Sequence, residues 1–248
     1  MELKLTGPFS AVVCAAGASS RMGGKVRKPY LSLRGKPILA WSLEAIAHVV
    51  QVRQLILVTR PEDRAMALEC ATKAKLPRRV RIDTADGGAR RQDSVFNGLK
   101  ETSPSAELVL IHDAARPFPE RSALVQVCQR AAEVGGAILA CRVRDTIKKE
   151  AGARAGRMPA VQIIETTVPR AGLWQAQTPQ VFRRELILEC FENLAASAPD
   201  KEMTDDAAIL EYFGKPVALV ESSSMNFKVT QPEDLAIAEA LLKAGIVS

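Results

Sequence analysis

Four cations, Arg21, Lys25, Arg27 and Lys28, fall within eight positions, directly behind a run of small residues, Ala16-Gly17-Ala18-Ser19-Ser20. Small side chains leave backbone N–H groups open to an anion, and cations placed just after them can neutralise a polyphosphate. A surface turn with solvated charges is the plain alternative. Neither familiar phosphate motif is present. A Walker loop needs Gly-Lys-Ser/Thr, but Gly24-Lys25 is followed by Val26. A dinucleotide fingerprint needs G-x-G-x-x-G, which Gly17-Ala18-Ser19 breaks.

A second candidate is Asp86-Gly87-Gly88-Ala89-Arg90-Arg91-Gln92-Asp93-Ser94. Backbone groups at its glycines could read a base edge, and Ser94 could bond a ribose or base; a capped turn accounts for the same residues. A third is His112-Asp113-Ala114-Ala115-Arg116-Pro117. A carboxylate at Asp113, just past an apolar run, suits Mg²⁺ that keeps waters and bridges phosphates. Arg116 can grip a phosphate at two points, or simply pair with Asp113. His112 and His48 read as structural, and two histidines without a Cys/His cluster exclude a zinc site. No G-x-S-x-G elbow occurs. Thr146, Arg170, Thr178, Thr204 and Lys228 say little individually. Asp205-Asp206 could bind a metal, but acids in the first turn of a helix need no such role.

The elements that must carry these residues alternate. Apolar, β-branched runs at 11–15, 53–59, 80–84, 108–112 and 136–141 predict buried strands. Helices are predicted over 36–49, 61–75, 91–100 and 119–133. This alternation predicts an α/β fold, a Rossmann-like, mostly parallel sheet with helices on both faces. Ligands on such sheets lie beyond the carboxyl ends of the strands, where the loops at 15–29, 85–94 and 113–118 fall. The pattern changes at 145–168: two extended pieces flank a Gly-, Ala- and Arg-rich turn, which suggests a projecting β-arm on a single domain over 1–248. Helices at 183–194, 204–213 with Thr204 as N-cap, and 232–242, with short strands at 217–220 and 227–229, complete the chain.

The 248 residues suffice for one sizeable core. Aromatics at 4% argue against a base-stacking platform for single-stranded nucleic acid. The net charge of +6 suits a small polyanionic substrate as well as a nucleic acid. Five scattered cysteines without C-x-x-C suggest reduced thiols in a cytoplasmic protein. No apolar run reaches membrane-span length, so no membrane partner is expected. The residues alone lead to a cytoplasmic α/β enzyme acting on a nucleotide or other phosphate with Mg²⁺.

Taken in order, the blocks A-A-G-A-S-S-R-M with Lys28-Pro29, G-G-x-x-R-x-D-S-V, H-D-A-A-R-P-F, D-T-I-K, T-V-P-R-x-G-L-W, Q-T-P-Q-x-F, T-D-D-A and N-F-K-V-T-x-P-E-D-L resemble the 2-C-methyl-D-erythritol 4-phosphate cytidylyltransferase family over residues 9–243. The resemblance implies CTP and methylerythritol phosphate as partners, Mg²⁺ as cofactor and a homodimer locked by the arm, with no nucleic acid bound. It places Ala15, Ala16, Gly17, Ala18, Gly88, Ser94 and Asp113 at the nucleotide, with Asp113 beside the metal. It gives Arg21, Lys28, Arg170 and Lys228 the catalytic charges, and Ala114, Arg116, Thr146, Thr178 and Thr204 the acceptor. Ala89 departs from the acidic residue usual in the family, so a contact there must use backbone or be lost. A sister enzyme taking ribitol 5-phosphate or a related polyol phosphate remains the alternative acceptor class. A nucleic-acid binder would show steeply salt-dependent binding.

Overall fold

A computed structural model describes residue 5 and residues 7–17, 27–151 and 162–247. Ala18, Arg21, Lys25 and the arm's tip therefore lie outside the described residues. The first strand, β1, is Phe9–Cys14. Its residues alternate between two cores: Phe9, Ala11 and Val13 face one, Val12 the other. A strand buried on both faces belongs in the middle of a covered sheet.

A hairpin of β2 (Ser32–Leu33) and β3 (Lys36–Pro37) follows, turning at Arg34 and Gly35, which both have positive φ. The helix predicted from residue 36 consequently starts two residues later, as α1 (Ile38–Ala47). Next come β4 (Val52–Thr59), α2 (Arg64–Thr72), β5 (Arg81–Asp86), α3 (Arg91–Lys100), β6 (Leu108–Asp113), α4 (Arg121–Val134) and β7 (Gly136–Arg142). Strands β8 (Ile147–Glu150) and β9 (Ile164–Val168) pair antiparallel as a separate exposed hairpin, the arm expected from sequence. Then follow β10 (Trp174–Arg183), α5 (Arg184–Ser197), α6 (Ala207–Tyr212), β11 (Ala218–Glu221) and α7 (Pro232–Lys243).

The main sheet has the order β11-β7-β10-β6-β1-β4-β5. All neighbours are parallel except β10, which runs antiparallel between β6 and β7. Helices α1, α2 and α4 cover one face, and α3, α5 and α6 the other. A third cluster seats α7 against Leu33, Ile38 and Phe118.

Strand β10 has no counterpart among the strands expected from sequence. Pro179 interrupts it and has no N–H to give the ladder, so the register shifts between Ala176 and Gln180. Conversely, the expected strand at Phe227–Val229 does not form. Val229 N–H makes one bond to Ala115 O (2.9 Å), and Phe227 packs edge-on against Phe118. Helix α6 begins after Asp206, not after Thr204, and the Ala208 N–H is accepted by Asp205 (2.9 Å).

Candidate active site

The carboxyl ends of β1, β4, β5 and β6 open into one cleft of about 450 Å³, lined by Cys14, Ala16, Gly17, Arg60, Gly87, Gly88, Ala89, Arg90, Arg91, Ser94, Asp113 and Lys228. Its nucleotide side is set by close backbone approach. A Cβ on Gly87 would lie 2.5 Å from Ala16 Cβ, so glycine lets the two loops touch. A Cβ on Gly98 would meet Val12 at 2.5 Å, which is why α3 can press onto β1. Gly88 N–H donates to Ser94 Oγ (2.9 Å), whose own proton goes to Arg90 O (3.2 Å). Ser94 therefore fixes the glycine turn before any ligand is considered. Ala15 is buried and gives its N–H to Val58 O (2.8 Å), so it supports the loop from within the ladder.

Asp113 is the centre of charge. It ends β6, and its side chain is 11% exposed. Lys228 Nζ lies 3.0 Å from Oδ2, Arg116 Nε 3.5 Å from Oδ2, and Arg91 Nε 3.7 Å from Oδ1. Burial pushes this carboxyl up, but the charges of Lys228, Arg91 and Arg116 override it and hold it well below the usual range. Arg91 also grips the buried Asp206 at both oxygens (2.9 and 2.8 Å). Three cations against two carboxylates leave this cluster electropositive, as an anion site requires.

The turn carrying Asp113 is locked from below. Asp113 N–H donates to Thr178 Oγ1 (3.0 Å), Thr178 bonds His112 Nδ1 (3.0 Å), and His112 Nε2 bonds Arg116 O (2.9 Å). Burial pushes His112 down to about 4, so it is neutral, and the partners assign its proton to Nε2. Arg116 in turn donates to Asn226 O (2.8 Å). Thr178 and Ala114 are buried. Ala114 spends its N–H on Cys14 O and its carbonyl on Ser42 (2.9 Å). These two residues shape the site from behind it.

Lys28 is buried in the short turn Lys28–Tyr30, and Arg27 beside it pairs with Glu62 and Asp63, so Arg27 anchors the loop to the next element. Thr204 is exposed next to the Asp205-Asp206 pair. Thr146 and Arg170 are exposed at the root of the arm, where Arg170 donates to Arg144 O, and neither lines the cleft. Arg60 and Arg91 also line the cleft, and the sequence assigns neither of them a role. Arg60, whose Nε donates to Ala16 O (3.1 Å), follows an ordinary strand and gives no signal. Arg91 was visible as the one fixed cation of the G-G-x-x-R-x-D-S-V block.

Cys14 lines the cleft, but burial pushes its thiol up to about 12, which removes it as a thiolate nucleophile. Among the described residues, no group of three His, Cys, Asp or Glu side chains could hold a metal ion. One carboxylate ringed by cations fits Mg²⁺ delivered with substrate phosphates, and does not fit a resident protein-only site. Among those residues, no helix is long and apolar enough to cross a membrane.

A protein-family profile described as 2-C-methyl-D-erythritol 4-phosphate cytidylyltransferase (IspD) matches residues 9–244. A protein of that name from Desulforamulus reducens is 38% identical over 96% of this chain and 97% of its own length. A crystal structure of 4-diphosphocytidyl-2C-methyl-D-erythritol synthase from Anaerococcus prevotii superposes with a TM-score of 0.78 at 28% identity, covering 96% of both chains. The crystal structure of 2-C-methyl-D-erythritol 4-phosphate cytidylyltransferase from Thermus thermophilus gives a TM-score of 0.73 at 31% identity, covering 95% of this chain and 99% of its own.

Proposed function

We propose that this chain, which belongs to the 2-C-methyl-D-erythritol 4-phosphate cytidylyltransferase family, joins CTP and 2-C-methyl-D-erythritol 4-phosphate to give 4-diphosphocytidyl-2-C-methyl-D-erythritol and pyrophosphate. The observation that carries the reading is the convergence of Lys228, Arg116 and Arg91 on Asp113 beside the glycine turns of a strand-end cleft. Two anions must meet there, and fixed positive charge lowers the cost of their approach.

An acceptor phosphate oxygen attacks the α-phosphorus in line as pyrophosphate leaves. The nucleophile is already an anion, so no strong base or covalent enzyme intermediate is required. The neutral His112 and protonated Cys14 agree with that. The reaction then rests on positioning and charge. Ala16, Gly17, Gly88 and Ser94 orient the nucleotide. Lys28 stabilises the charge developing on the triphosphate, a role the family resemblance also gives to Arg21, while Lys228 and Arg116 meet the acceptor phosphate. Asp113 would hold Mg²⁺, which when bound neutralises charge on the phosphates.

The test is pyrophosphate release with four nucleoside triphosphates against a panel of polyol phosphates. CTP with methylerythritol phosphate should be the preferred pair, and excess EDTA should abolish release without unfolding the protein. Preference for ribitol 5-phosphate would move the acceptor assignment to the sister enzyme. Full activity in EDTA would remove the metal from the account.

The arm is the surface for a second copy. Ile163 and Ile164 are 64% and 60% exposed on it, and among the described residues β8 and β9 pair only with each other. A C2 dimer would cover these side chains and could bring Arg170 and Thr146 to the neighbouring cleft. Changing both isoleucines to aspartate is expected to yield monomers by sedimentation at micromolar concentration, with the main domain still folded. A wild-type chain that sediments as a monomer contradicts this assembly.

A further inference from the structure

We propose that Arg91 is a positioning residue that couples the nucleotide side of the cleft to the acceptor side. It opens α3, one turn before Ser94, so by position it belongs to the nucleotide loops. Its guanidinium is nevertheless turned towards carboxylates. Nη1 and Nη2 bond the two oxygens of Asp206 (2.9 and 2.8 Å), and Nε lies 3.7 Å from Asp113 Oδ1. An arginine engaged in this way braces the site rather than gripping a phosphate.

What it braces is the segment 201–206, which carries Thr204. The next residue, Gln92, works in the same direction: its Nε2 donates to Lys201 O (3.0 Å), and its Oε1 accepts from Met203 N–H (2.8 Å). From β10, Gln180 Oε1 accepts the N–H groups of Asp206 and Ala207 (3.0 and 2.9 Å), and its Nε2 donates to Asp205 (2.8 Å). The segment is thus pinned between α3 and the sheet, which explains how an exposed Thr204 keeps a fixed place. Asp206 is fully buried, and removing its counter-charge would leave an uncompensated carboxylate there. A shift of α3 towards a bound nucleotide would be carried through one rigid side chain to Asp113 and to Thr204 together. Near-attack geometry tolerates little error, so this linkage sets where the acceptor phosphate arrives.

The inference rests on the cytidylyl-transfer reading, and the experiment separates the two. Steady-state kinetics with both substrates varied, and CTP affinity by calorimetry, are measured on wild type, Arg91→Lys, Arg91→Gln, Asp206→Asn and the double variant R91Q/D206N. Arg91→Lys is expected to raise KM for methylerythritol phosphate and lower kcat, each by about tenfold or more, because an ammonium cannot make the two-point grip. CTP affinity should stay within about threefold, since the nucleotide loops keep their own bonds. The double variant replaces the ion pair with a neutral hydrogen-bonded pair. It should match the Arg91→Gln defect rather than the sum of the Arg91→Gln and Asp206→Asn defects, as residues acting as a unit do.

Losses confined to CTP affinity would overturn the proposal, and so would wild-type values of acceptor KM and kcat in either the Arg91→Lys or the double variant. A lower melting temperature with unchanged acceptor KM would also overturn it, by reducing Arg91 to a structural brace. Should Arg91→Lys not fold, the double variant decides by the same criterion. A wild-type chain inactive with CTP and methylerythritol phosphate would instead sink the reaction reading.

Discussion

Replacing Lys28 by alanine is expected to lower kcat by about two to three orders of magnitude, the scale of losing one preorganised stabiliser of developing charge. Lys28 directly follows the small-residue loop and its cations in sequence and is buried in a short turn, so its position is set by packing before substrate binds. A charge held in a partly dry site acts more strongly than one in water and needs no reorganisation at the moment of reaction. The ammonium also contributes at Asp234 on α7. Burial pushes that carboxyl up, but the Thr230 and Gln231 groups bonding it, with Lys28 adding, hold it below its usual value. Lys28→Met keeps the length of the side chain and controls for packing; it should be as inactive as the alanine variant. CTP affinity should change by less than about tenfold, because the effect belongs to the transition state. Near-normal turnover in either variant would make Lys28 a purely structural cation.

Replacing Asp113 by asparagine is expected to cost at least about a hundredfold in kcat, the scale of misplacing reacting groups by about an ångström. The carboxylate organises Lys228, Arg116 and Arg91, and without it those cations repel one another in a half-buried site. The fold should also lose about 2–4 kcal/mol, which is below the usual cost of breaking a buried pair because the Lys228 side chain is 41% exposed. Chemical denaturation measures this loss. Raised ionic strength should not restore turnover, since the defect is one of position as well as charge. Wild-type kcat and unchanged stability would show that Asp113 organises nothing.

Much of this was legible in the sequence because the strands are buried on both faces. Continuous apolar runs such as Leu55, Ile56, Leu57 and Val58 have few other readings. The loops at their ends were legible because glycine and cations stand out there. Residues whose role depends on distant partners were not legible. Gln180 braces Asp205 and Asp206 only because β10 runs antiparallel in mid-sheet, a strand that Pro179 hides. Thr178 says little on its own in the sequence, yet it is committed to Asp113 and His112. Arg91 and Asp206 are far apart in the chain, and no local pattern announces their pairing.

The central claim is a single in-line displacement at the α-phosphorus, driven by fixed charge and without a covalent enzyme intermediate. Its most direct test is the stereochemical course with CTP made chiral at the α-phosphorus by sulfur substitution, using methylerythritol phosphate as acceptor. One displacement inverts the configuration, and inversion is the predicted result. Retention would require two displacements through an enzyme-bound cytidylyl group, and would contradict the account.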